Sequence, residues 1–137
     1  MPITYQIDHE RRLVDAKADG LISDGDVFAY QREVWSRTDV VGYAEIVDMI
    51  AVERIDLPSI DRIRELAELA ARMNADKPVA KLAIVASRDF AFGLGRMYET
   101  YRELQAGSTK PVGVFRTRRE ALDFLGLEGD LTPPSGA

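Results

Sequence analysis

Residues 44–73 constrain the fold more than any other part of the chain. Ala44-Glu45-Ile46-Val47-Asp48-Met49-Ile50 is a mostly apolar run of strand length. Ala51 to Leu57 reads as a loop, and Pro58 opens an amphipathic helix to about Asn74. Proline suits the first helical position, because its missing N–H has no partner there. Ile60, Ile63, Leu66, Ala67, Ala70 and Met73 repeat at helical spacing and predict its buried stripe. A strand, a polar loop and a helix in that order belong to an α/β sheet, whose working surface lies beyond the carboxyl ends of its strands.

The flanking segments extend the pattern. Ile3 to Asp8 alternates apolar and polar residues, and so predicts a strand. Asp8 to Arg11 reads as a turn, and Leu13 to Ala18 as the second arm of a hairpin. Ser23 and Asp26 have capping-box spacing for a helix to about Ser36, with Val27, Tyr30 and Val34 on one face beside Phe28 and Trp35. Val79 to Ala86 is apolar apart from Lys81, as a strand covered on both faces should be. Ser87 or Asp89 can cap a helix to about Gln105, stopped at Gly107, with a stripe of Phe90, Leu94, Met97, Tyr101 and Leu104. Pro111 to Arg116 is the last strand. Thr117 and Glu120 form a capping box for a closing helix that ends at Gly126. The predicted order is β-β-α-β-α-β-α-β-α: an α/β domain over residues 1–126 with a mixed, mainly parallel sheet. Residues 127–137, rich in Gly and Pro, read as a flexible tail.

Composition narrows the chemistry. The 137 residues suit one domain. No cysteine is present, so disulfides and thiolate metal sites are excluded, and a cytoplasmic setting is expected. A net charge of −5 and a pI near 4.9 argue against a nucleic-acid binder. No apolar run reaches the ~20 residues of a membrane span. His9, the one histidine, lies between Asp8 and Glu10 in the expected hairpin turn, where such residues serve the local backbone. No Ser-His-Asp set, paired-carboxylate site or phosphate-binding loop can be assembled. The expectation is a protein that is not an enzyme and carries no cofactor or metal.

Two regions stand out as candidate surfaces. Ser87, Arg88 and Asp89 directly follow the apolar strand, where free N–H groups could hold an anion with Arg88 or Arg96 adding charge; a plain serine or aspartate cap is the alternative. Gly93 and Gly95 fall about one turn inside a predicted helix, where each costs roughly 1 kcal/mol relative to alanine. That cost implies close packing on the sheet or room for a ligand. Phe92 and Tyr98 lie off the helix stripe and mark a possible apolar pocket or partner groove.

The element order resembles the STAS domain, shared by SpoIIAA-like anti-anti-sigma factors and the cytoplasmic tails of sulfate transporters. It is most similar to a bacterial SpoIIAA-like group also described as STAS/SEC14-domain proteins. The resemblance covers about residues 2–126. It rests on Ile3 to Asp8, on Asp48 with Val52 and Ile55-Asp56, on Ser87-Arg88-Asp89, and on Phe92 to Tyr98. In anti-anti-sigma factors an Asp-Ser pair opens the second helix, and the serine is phosphorylated. Here Asp56 is followed by Leu57, so that acceptor hydroxyl is missing. Ser59, two positions on, is either a displaced acceptor or a helix cap.

The resemblance implies a regulatory, protein-interaction module that works through Asp56, Leu57, Ser59 and Arg62. The SEC14 likeness implies an alternative: binding of a small apolar or lipid-like ligand under the third helix, at Ser87, Arg88, Phe92, Gly95, Arg96 and Tyr98. An exposed strand edge or the third helix would allow a homodimer.

Overall fold

The computed structural model describes residues 2–78, 80–105 and 111–127. Five strands form one sheet: β1 (Ile3–Asp8), β2 (Leu13–Ser23), β3 (Ala44–Asp56), β4 (Leu82–Val85) and β5 (Val112–Phe115). Four helices join or follow them: α1 (Asp24–Trp35), α2 (Asp61–Asn74), α3 (Asp89–Glu103) and α4 (Arg118–Leu125). A short 3-10 turn, Thr38–Val40, precedes β3. The strands lie side by side in sequence order, β1 antiparallel to β2 and the rest parallel. The expected element order is the observed one.

Sequential strand order decides where the helices go. Parallel crossovers are right-handed in nearly all proteins, so three successive crossovers moving one way across a sheet place their helices on the same face. Helices α1, α2 and α3 accordingly share one face, while α4, which closes no crossover, covers the other. Alternation along the strands supplies both cores. On β4, Leu82 and Ile84 meet α2 and α3, while Ala83 and Val85 meet α4. On β3, Ile46 joins the α4 core, whereas Val47 and Met49 face the three helices.

Local signals fix the helix ends. Ser23 accepts from the Asp26 N–H at 3.2 Å, and Asp26 accepts from the Ser23 N–H at 2.9 Å. Thr117 and Glu120 repeat the reciprocal box at α4. That helix stops at Gly126, whose φ of +74° is the left-handed conformation that glycine adopts without strain.

Four expectations need correction. First, β2 and β3 are longer than expected. Ala51 to Asp56 is strand, paired with Asp19 to Ser23 through register shifts near Gly20. This ribbon carries Glu53, Arg54 and Asp56, and an exposed, charged ribbon reads like a loop in sequence. Second, α2 starts at Asp61 and not at Pro58. Ser59 and Ile60 form the turn before it, with their carbonyls accepting from the Arg62 and Ile63 N–H groups. Ile60 is therefore exposed and outside the buried stripe.

Third, α3 is rotated from its expected stripe. Its buried residues are Ala91, Gly95, Tyr98 and Arg102, while Phe90 and Leu104 are exposed. The small residues at 91 and 95 let the helix lie close to the sheet. A Cβ on Gly95 would come within 3.0 Å of Val114 Cγ1. Fourth, Arg88 occupies the α3 N-cap position with no side-chain cap bond, so neither Ser87 nor Asp89 caps the helix. Val79, Gly107 and the tail beyond Leu127 lie outside the described residues.

Candidate functional site

Helices α1, α2 and α3 do not close completely over their face of the sheet. Between them lies a cavity of about 120 Å3. Its walls are apolar: Ile3, Ala18 and Ile22 from β1 and β2, Val47, Met49 and Ile55 from β3, and Ile63, Leu66 and Leu94 from α2 and α3. The β2–β3 ribbon builds one side. Because β3 runs eight residues beyond Asp48, its last partner on β4, Ile55 and the following Leu57 reach the cavity.

The outer end is polar. Arg62, early in α2, donates from Nε to Asp24 in the first turn of α1 at 2.5 Å, and from Nη1 to Glu65 at 2.9 Å. Its guanidinium also lies 4.1 Å from the centre of the Phe28 ring. The Arg62 hydrogen bond holds the Asp24 carboxyl below the usual carboxylate range, partly opposed by burial.

The inner end is polar as well, and buried. Glu45 is only 3% exposed, the single charged residue on the inward face of β3. Its Oε2 accepts from the Tyr30 hydroxyl at 2.7 Å and from the Trp35 indole N–H at 3.0 Å. Burial pushes the Tyr30 phenol well up, and the neighbouring Glu45 charge pushes it further. Tyr98 lines the same end. Burial raises its phenol to about 12, with Arg102 opposing the rise and Glu45 adding to it. Both phenols therefore stay neutral at pH 7, and Arg102, 2% exposed, stands behind them on α3.

The cavity draws from both residue sets expected from the sequence. Leu57 and Arg62 of the first line it together with Gly95 and Tyr98 of the second. Asp56 and Ser59 lie exposed at the end of the ribbon, outside the lining. Ser87, Arg88 and Arg96 are exposed elsewhere. Phe92 stacks under Arg116, 3.9 Å from the ring centre, and Arg116 Nη1 donates to the Ser87 carbonyl and to Asp89. The Ser87–Asp89 loop is thus bound to Arg116. His9 sits in the hairpin turn with Nδ1 2.7 Å from the Tyr43 hydroxyl.

Sequence reasoning missed Glu45 and Arg102. Each carried a readable signal. Glu45 is a charge at an inward position of an apolar strand, and Arg102 lies one helical turn beyond Tyr98.

The fold is SpoIIAA-like. The structure is similar to that of an uncharacterized protein of the DUF3478 family with a SpoIIAA-like fold from Shewanella loihica PV-4. The TM-score is 0.57 at 15% sequence identity, over 90% of this chain and 93% of the other. At that identity the likeness carries the fold and not the function. No protein-family model matches the chain, and no curated protein matches its sequence. Among the described residues, no helix is long and apolar enough to cross a membrane, and no group of three or more His, Asp or Glu could hold a metal ion.

Proposed function

We propose that this protein binds a small apolar molecule without transforming it, in the cavity between the sheet and helices α1, α2 and α3. The observation that carries the proposal is the cavity itself: about 120 Å3, walled by aliphatic and aromatic side chains from seven elements. An apolar cavity of about 150 Å3 in another protein stays dry and takes up benzene, so this one suits a ligand of about six carbons. The Asp24–Arg62 pair would frame the entrance, and Gly95 and Tyr98 the wall beneath α3.

Benzene titration followed by NMR tests the reading. Saturable shifts confined to Ile63, Leu66, Leu94 and Val47 are expected, and Leu66→Phe should abolish them by filling the space. Shifts that never saturate, or that persist in L66F, would sink it. Phe92→Asp serves as the negative control, because Phe92 lies under Arg116, away from the cavity.

A second reading has its own observation. Leu21 in β2 and Ile60 in the turn before α2 are exposed at 56% and 47%, and Asp56 at the end of β3 and Ser59 in that turn are exposed as well. Exposed apolar groups beside charged ones suit a partner protein. On that reading Asp56→Lys combined with Ile60→Ser weakens capture of a purified partner while benzene binding is unchanged. Equal capture by the double variant and the parent would exclude this surface.

A further inference from the structure

Arg102 is the least expected member of the core. It lies in the last turn of α3 and is 2% exposed. Its Nε and Nη2 atoms have no hydrogen-bond partner among the described residues. A buried guanidinium gives up its hydrogen bonds to water, and idle N–H groups gain nothing in return. Arg102 lines a second, smaller cavity of about 20 Å3. Glu45, Gln31, Leu82 and Tyr98 line both cavities, so the apolar one ends where the polar one begins.

Charge points to what the polar end prefers. Two cations, Arg102 and Lys77, face the small cavity against one carboxylate, Glu45, which already accepts from Tyr30 and Trp35. The Nε and Nη2 atoms form one edge of the guanidinium plane, the edge that pairs side-on with both oxygens of a carboxylate. We propose, building on the ligand-binding reading above, that the ligand is a short amphiphile with a carboxylate head, its tail in the apolar cavity and its head on the free edge of Arg102.

Calorimetric titration of the intact protein with hexanoate, hexan-1-ol and hexylamine tests this. One charge-assisted pair corresponds to at least about a tenfold gain in affinity. Hexanoate should therefore bind about tenfold tighter than hexan-1-ol, and hexylamine weakest of the three. Arg102→Met should bring hexanoate down to hexan-1-ol, and Arg102→Lys should restore part of the difference. Melting curves for both variants show whether they fold, and the three-ligand comparison on the parent protein decides the matter if they do not.

Equal affinity for hexanoate and hexan-1-ol would overturn the carboxylate head and leave the apolar site standing; the small cavity would then hold one water. Failure of all three to bind would overturn both readings. A preference for hexanoate that survives R102M would place the head elsewhere.

Discussion

The two faces of this sheet are built from the same strands and packed to different ends. Under α4, Leu13, Ile46, Ala83, Val85, Ala121 and Leu122 are all 2% exposed or less. Small residues let the layers meet: Phe115 folds so far over Gly113 that a Cβ there would lie 2.6 Å from its ring. On the opposite face, three helices from three crossovers must share one surface. They meet around a cavity, with a buried glutamate and arginine at its inner end. A single helix can settle onto a sheet until its side chains interlock. Three helices tied to successive strands cannot each do so independently, and space is left over between them. One face supplies stability and the other supplies room.

Truncation should separate the faces most strongly. Ile46→Ala removes a fully buried side chain from the α4 core, and Leu66→Ala removes a half-buried one that already borders space. Large-to-small core changes cost about 2–5 kcal/mol, and a side chain facing a void has fewer contacts to lose. Ile46→Ala should fall in the upper half of that range, and Leu66→Ala at or below about 2 kcal/mol. Urea unfolding of the two variants measures the difference. Equal losses would mean that the helical face is packed as tightly as the other.

Enlargement should reverse the ranking. Leu122→Phe must push into close-packed surroundings and should cost about 1–3 kcal/mol. Leu66→Phe grows into existing space and should be neutral or stabilising by up to about 1 kcal/mol. A destabilisation of L66F matching that of L122F would remove the cavity from the comparison.

Much of the architecture was legible in the sequence, because alternation, helical spacing and caps are local. Ser23 with Asp26, and Thr117 with Glu120, the two members of each pair three residues apart, mark the starts of α1 and α4. Ala51 to Asp56 is not legible as strand. Its charges face water on a two-stranded ribbon, and its period is interrupted by the register shifts opposite. The rotation of α3 was hidden for another reason. Ala91 and Gly95 bury little surface themselves, so the apolar count favoured Phe90 and Leu104, although closeness to the sheet favours the small side chains. The candidate site was half legible. The sequence marks Leu57, Arg62, Gly95 and Tyr98, but in two separate groups. A cavity is a volume set by how three helices dock, and sequence spacing gives faces without giving distances.

The smallest expected effect concerns the entrance, where the helical face meets solvent. The Asp24 carboxyl is lowered first by its hydrogen bond from Arg62. A carboxyl lowered in the folded state stabilises the fold above its unfolded value, near pH 4, and that contribution fades as pH falls through the folded value. Protonating Asp24 therefore loosens the tie between α1 and α2. Both side chains are partly in water, at 19% and 32% exposure, so screening keeps the effect modest. Between pH 5 and pH 3 the parent should lose more stability than Asp24→Asn, which has no charge to lose at that position. Benzene should also dissociate faster from the parent as the tie weakens, while in D24N its release rate stays level across the same range. The α4 face supplies the control: Leu122→Ala lowers stability at every pH and leaves the difference between parent and D24N unchanged. Parallel acid profiles for parent and D24N would show that the Asp24–Arg62 pair holds nothing closed, and the entrance would then be set by the apolar contacts of Phe28 and Leu57 alone.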